Sequence, residues 1–142
     1  MMELQEVFVA LLGDLEKTHN ILLDFKDKSK PFRWKVPLQV HKRKYDVIIQ
    51  GTARGLPRSL RREIMERTRG IIVYGFYTSE IAVAVAKLAK LIKHIDFIIW
   101  CDLEVPDSLK ALQIPIETGI VETKEDMIRL IKKALFRAYE II

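Results

Sequence analysis

With 142 residues, 49% hydrophobic and 30% charged, the chain has the size and composition of one folded domain, which excludes a disordered or low-complexity protein. No uncharged stretch approaches the roughly 20 apolar residues of a membrane span, and acids precede the first apolar run, the wrong sign for a secretory signal. The net charge of +5 conceals a split: residues 26–69 carry fourteen Lys/Arg against four Asp/Glu, while the remainder is net acidic, a segregation that points to a surface for phosphates or another acidic partner.

In chain order, residues 3–26 predict one long amphipathic helix. Leu4, Phe8, Leu11, Leu15, Thr18, Leu22 and Phe25 recur at alternating spacings of four and three, which keeps one stripe apolar. Gly13 and Asn20 weaken that helix, with a break near His19 as the alternative. Its stripe either packs on the protein's own sheet or forms a homo-oligomer seam. A charged connector follows, and residues 32–41 then alternate strictly. Phe32, Trp34, Val36, Leu38 and Val40 lie on one face, and Arg33, Lys35, Pro37, Gln39 and His41 on the other. Period two predicts a half-buried strand, and Pro37, which donates no hydrogen bond, puts it at a sheet edge.

From Asp46 onward the pattern becomes strand–helix alternation. Residues 47–50, 71–74 and 97–101 read as short strands buried on both faces. Residues 57–67 predict a helix, and Thr78 or Ser79 caps another to about Lys93, with Ile81, Val85, Leu88 and Ile92 inward. Residues 107–112 make at best one short helix, and 114–117 a fourth strand. Thr123 through Asp126 resembles a capping box opening a last helix. Such alternation predicts a three-layer α/β fold: a mainly parallel sheet of about four strands plus a basic edge strand, helices on both faces and the long N-terminal helix. The chain reads as one domain over 1–142, divided into helix and edge strand (1–44), core (45–118) and C-terminal helix (119–142). Cys101, the only cysteine, allows no intrachain disulfide and makes a reducing cytoplasm the expected location. A single asparagine with abundant Ile, Lys, Arg and Glu gives a thermophile-like balance.

Ligands of parallel α/β sheets gather at the carboxyl ends of the strands. Three stretches fall there. Gln50-Gly51-Thr52-Ala53-Arg54-Gly55 opens a turn followed by Arg58, Arg61 and Arg62, four arginines suited to a polyanion or alternatively a plain strand-to-helix turn. The spacing is neither a Walker A loop nor a dinucleotide fingerprint. Gly75 to Ser79 is a second cradle, whose Thr78 and Ser79 could hold a phosphate or simply cap a helix. Asp102-Leu103-Glu104 could hold a hard cation such as Mg²⁺, or be loop acids. His19, His41 and His94 stand on separate elements without metal-ligand spacing.

The strand ends Gln50-Gly51, Tyr74-Gly75 and Asp102-Leu103-Glu104 resemble, over 45–118, the Toprim domains of primases, topoisomerases and related nucleases, whose strands end in Glu-Gly, near a Gly, and in Asp-x-Asp. The resemblance implies a compact parallel sheet, nucleic-acid affinity and metal ligation at Asp102 and Glu104. Gln50 replaces the family's acid/base glutamate and cannot exchange a proton, so the resemblance implies impaired catalysis. The sequence therefore leads to a nucleic-acid-binding domain. Arg54, Arg58, Arg61 and Arg62 would contact phosphates, with Arg33, Lys35, Lys42, Arg43 and Lys44 widening the footprint. The alternatives are an enzyme or sensor for a nucleotide or sugar phosphate, and a non-enzymatic assembly subunit.

Overall fold

A computed structural model describes residues 4–52 and 62–141. Its six strands are β1 (Leu4–Gly13), β2 (Arg33–Val40), β3 (Arg43–Gln50), β4 (Thr68–Tyr74), β5 (Phe97–Trp100) and β6 (Ile116–Thr118). They form one sheet in the order β2-β3-β1-β4-β5-β6, antiparallel between β2 and β3 and parallel elsewhere. The helices are α1 (Leu15–Ile21), α2 (Arg62–Arg67), α3 (Ser79–Leu91), α4 (Asp107–Lys110) and α5 (Lys124–Tyr139), with a 3₁₀ turn at Leu23–Phe25. The mixed, mostly parallel α/β architecture is the expected one, with one more strand than expected.

That extra strand is the N-terminus, and it corrects the helix expected over 3–26. Leu4–Gly13 is a strand in the middle of the sheet, hydrogen-bonded to β3 on one side and β4 on the other. The reason lies in the run Val7 to Leu12, six consecutive apolar residues with two β-branched valines. Val7, Val9 and Leu11 enter the core on one face, Ala10 and Leu12 the core on the other. A helix would leave part of that run in water, whereas burial stabilises by about 1.5–3 kcal/mol for each large aliphatic side chain. Gly13, at φ 125°, ends the strand, and Asp14 caps α1 by accepting from the Lys17 N–H at 3.0 Å. The single helical stripe over 3–26 is therefore replaced, over Leu4–Gly13, by a strand with both edges paired.

The remaining elements stand near their expected places: β3 begins earlier than expected, at Arg43, and of the helix expected over 57–67 residues 57–61 lie outside the described residues. On one face α5 packs Met127, Ile131 and Leu135 against the sheet, beside Leu22. On the other, α3 packs Ile81, Val85 and Leu88, with Leu109 of α4 and Met65 of α2 in the same cluster. Thr78 caps α3, and Thr123 and Asp126 close the reciprocal capping box of α5. Burial along β2 alternates strictly, and β2 is a sheet edge, as its period and Pro37 require. Phe32 departs from the expected period: it precedes the strand, lies in the left-handed region at φ 57° and is 36% exposed. Among the described residues no helix is long and apolar enough to cross a membrane.

Candidate nucleic-acid interface

The hairpin register decides which cations share a face. Residues opposite one another in β2 and β3 include Arg33 with Gln50, Lys35 with Ile48, and Gln39 with Lys44. Arg33, Lys35 and Lys44 therefore lie on one face, together with Glu6 and Phe8, which stand beside Asp46 and Ile48 in β1. Lys35 and Lys44 are exposed. The guanidinium carbons of Arg33 and of Arg67, the latter at the end of α2, lie 6.0 and 4.8 Å from the Phe8 ring centre. Cation–π attraction to this shared ring helps hold both arms in place. Asp46 and Glu6 are the acids within this row.

Arg43 does not share this face. Its parity turns it to the opposite face, where it donates to the Tyr139 carbonyl at 2.9 Å and ties the hairpin to the end of α5. Lys42 is exposed in the two-residue turn, beside His41 at φ 52°, whose ring lies 4.7 Å from that of Phe136. Arg54, Gly55, Arg58 and Arg61 lie outside the described residues, and Arg62 opens α2. The sequence does not single out Phe8, Phe32 or Arg67 as interface residues; Arg67 stands within the basic block, and a helical stripe over 3–26 accounts for Phe8 without placing it beside these cations.

Gln50 is 7% exposed and its amide is fully engaged. Arg33 Nε donates to Gln50 Oε1 at 2.7 Å, and Gln50 Nε2 donates to the Pro31 and Gly51 carbonyls at 3.2 and 2.9 Å. A glutamate could not make those two donations, so glutamine serves as a bracket between the end of β3 and the loop before β2. A Cβ on Gly51 would stand 2.6 Å from Leu15 Cδ2, so the end of that leucine would have to shift to admit one. The Gly51 N–H donates to the Phe32 carbonyl at 2.7 Å, which helps hold Phe32 in a conformation costing about 1–2 kcal/mol for an L-residue. Thr52 is buried.

The carboxyl edge of the parallel strands is organised differently. The switch point, where connections depart to opposite sides, lies between β1 and β4. There the Asp14 N–H donates to the Tyr74 carbonyl at 2.8 Å, and a Cβ on Gly75, at φ 100°, would meet the Asp14 Cβ at 2.4 Å. The second cradle's donors are partly engaged. The Gly75 N–H donates to Tyr77 Oη at 2.9 Å, and Thr78 Oγ accepts from the Ile81 N–H, while Ser79 begins α3. Burial is the main cause that pushes the Tyr77 hydroxyl up to about 12, and it pushes the Cys101 thiol up to about 12 as well. Neither therefore ionises near neutral pH.

Asp102 is half-buried and accepts from the Leu103 N–H at 2.8 Å, while Glu104 is exposed. Among the described residues no three of His, Cys, Asp and Glu gather as metal ligands. Gln50 ends β3 and Asp102 follows β5, with β1 and β4 between them. Three strand intervals amount to about 14 Å, so the three residues behind the Toprim resemblance do not meet at one centre. No family model matches the chain, and no curated protein matches it significantly.

Proposed function

We propose that the protein binds nucleic acid on the face formed by β2, β3 and α2. The observation that carries this reading is the row of Arg33, Lys35 and Lys44 on the edge hairpin, joined by Arg67 over Phe8. Exposed lysines and ring-supported arginines along a strand edge suit a phosphate backbone, and arginine adds bidentate contacts. Lys42 extends the row at the turn, Arg54, Arg58 and Arg61 belong to the segment that joins β3 to α2, and Arg62 opens α2. In this reading Gln50 shapes the site and catalyses nothing. The test is fluorescence anisotropy with labelled DNA and RNA at rising salt. Binding should weaken steeply, log K falling by about 0.7–0.9 for each phosphate neutralised per decade of salt. Absence of binding to either polymer at low salt would refute the proposal.

A phosphorylated small ligand at the two glycine turns has less support. Gly51 is packed against Leu15, and Gly75 donates inside its own turn. The nearby carboxylates of Asp14 and Asp102 also oppose an anion. Asp102 and Glu104 could still take Mg²⁺ with several waters, a property separate from the hairpin.

A further inference from the structure

Around the edge of the same hairpin, on the opposite face from the cationic row, an open slot of about 360 Å³ lies between α1 and the start of β2. Leu15 and His19 of α1 form one side, Pro31 and Phe32 another, and Trp34 takes part in the lining, with Lys26 at the rim. The volume is at the low end for small-ligand sites, room for one planar ring system and not for a duplex. Trp34 is 2% exposed, and its indole N–H is buried without an acceptor. Phe32, by contrast, exposes its ring at the mouth, held there by its left-handed backbone and by the Gly51 N–H. The His19 and Trp34 rings lie 6.3 Å apart and tilted, so the lining is aromatic on two sides.

The surroundings favour a charged strand over a neutral ligand. Lys28, Lys30 and Lys35 are exposed around the edge, and Lys26 Nζ donates to the Asp27 and Lys30 carbonyls, shaping the loop beside the slot. The Asp27 carboxylate turns into its own loop, accepting from the Ser29 N–H and hydroxyl. Glu16 is the acid in the slot's lining. Resting on the nucleic-acid reading above, we infer that the slot accepts one unpaired base of a bound strand, stacked on Phe32, while the flanking phosphates lie against Lys28, Lys30 and Lys35. A strand crossing the edge of β2 thus places a base on one side and phosphates on the other, which selects single-stranded over duplex nucleic acid.

The test compares single-stranded DNA and RNA of about twelve nucleotides with the same backbone carrying abasic sites. Wild-type protein should bind the base-bearing strands about tenfold more tightly, the scale of one base–aromatic stack. Phe32→Gly suits a φ of 57° and should keep the fold while losing most of that preference, with abasic affinity unchanged. In a Trp100→Phe background, which leaves Trp34 as the only tryptophan, base-bearing strands should quench its emission and abasic strands should not. If that background fails to fold, anisotropy on wild type and Phe32→Gly makes the same comparison. Equal affinity for the two kinds of strand, unchanged in Phe32→Gly, would overturn the slot assignment and leave the hairpin reading standing. Failure to bind any strand would remove both.

Discussion

The sheet has two regions where a ligand could be expected, and they are built on opposite plans. At the switch point, β1 and β4 are drawn together by the Asp14–Tyr74 hydrogen bond and by two glycines that admit no side chain. Among the described residues Asp14 and Asp102 are the acids at that edge, and Tyr77 and Thr78 already accept the Gly75 and Ile81 N–H groups. At the β2–β3 hairpin cations outnumber the acid Asp46, Lys35 and Lys44 are exposed, and an aromatic slot lies around the edge. Topology thus marks one place for a ligand, and the chemistry that could hold a polyanion stands elsewhere. A switch point is a geometric opportunity, and it holds an anion only when its donors are left free.

The contrast can be broken most severely at the closed end. In Gly13→Ala the new Cβ would stand 2.0 Å from the Tyr74 carbonyl oxygen at a φ of +125°. Urea unfolding should register a loss of at least about 3 kcal/mol, because backbone on both strands must shift. Nucleic-acid affinity of the remaining folded fraction should be unchanged.

At the open end the effect should be on binding alone. Lys35→Glu combined with Lys44→Glu reverses two exposed charges of one face and should weaken binding at low salt by well over tenfold. Its thermal stability should move by less than about 0.5 kcal/mol per site. Equal losses of stability and binding would mean that these lysines hold the fold and do not contact a ligand.

A third variant sits on the face opposite the cationic row. Thr123→Ala removes the α5 cap and should cost about 1 kcal/mol by denaturant titration, with binding intact. Asp126 in the same box accepts from the Glu122 and Thr123 N–H groups, and the first of these bonds is the main cause holding its carboxyl below the usual value of 3.8. Its contribution to stability is therefore complete above pH 3.8 and disappears as pH falls through the lower folded value. Asp126→Asn should flatten that part of the acid unfolding curve. The smallest effect belongs to the acidic edge: Asp102→Asn with Glu104→Gln should leave nucleic-acid affinity within about twofold, measured by anisotropy without added divalent cations.

The sequence made the exposed rhythm of β2, the edge role set by Pro37, and the caps at Thr78 and Thr123 legible, because each rests on local chemistry. Two features were not. Leu4, Phe8, Leu11 and Leu15 fit a helical stripe, the unbroken apolar run Val7 to Leu12 fits a strand buried on both faces, and the partners on either side of β1 decide between them. The division of the cations between faces was also not legible, since adjacent ones such as Arg43 and Lys44 point to opposite faces once the two-residue turn sets the register. Phe32 looked like an inward strand residue, and its outward position depends on a left-handed backbone that no side-chain pattern signals.

The most direct discrimination between the two regions is a backbone amide NMR titration of the folded protein with a single-stranded oligonucleotide. Shifts confined to residues 28–35, Lys44 and Arg67, with Gly75 to Ser79 and Asp102 to Glu104 silent, are expected if the basic hairpin is the binding face. Shifts centred on Asp14, Gly75 and Asp102 with the hairpin unmoved would contradict it.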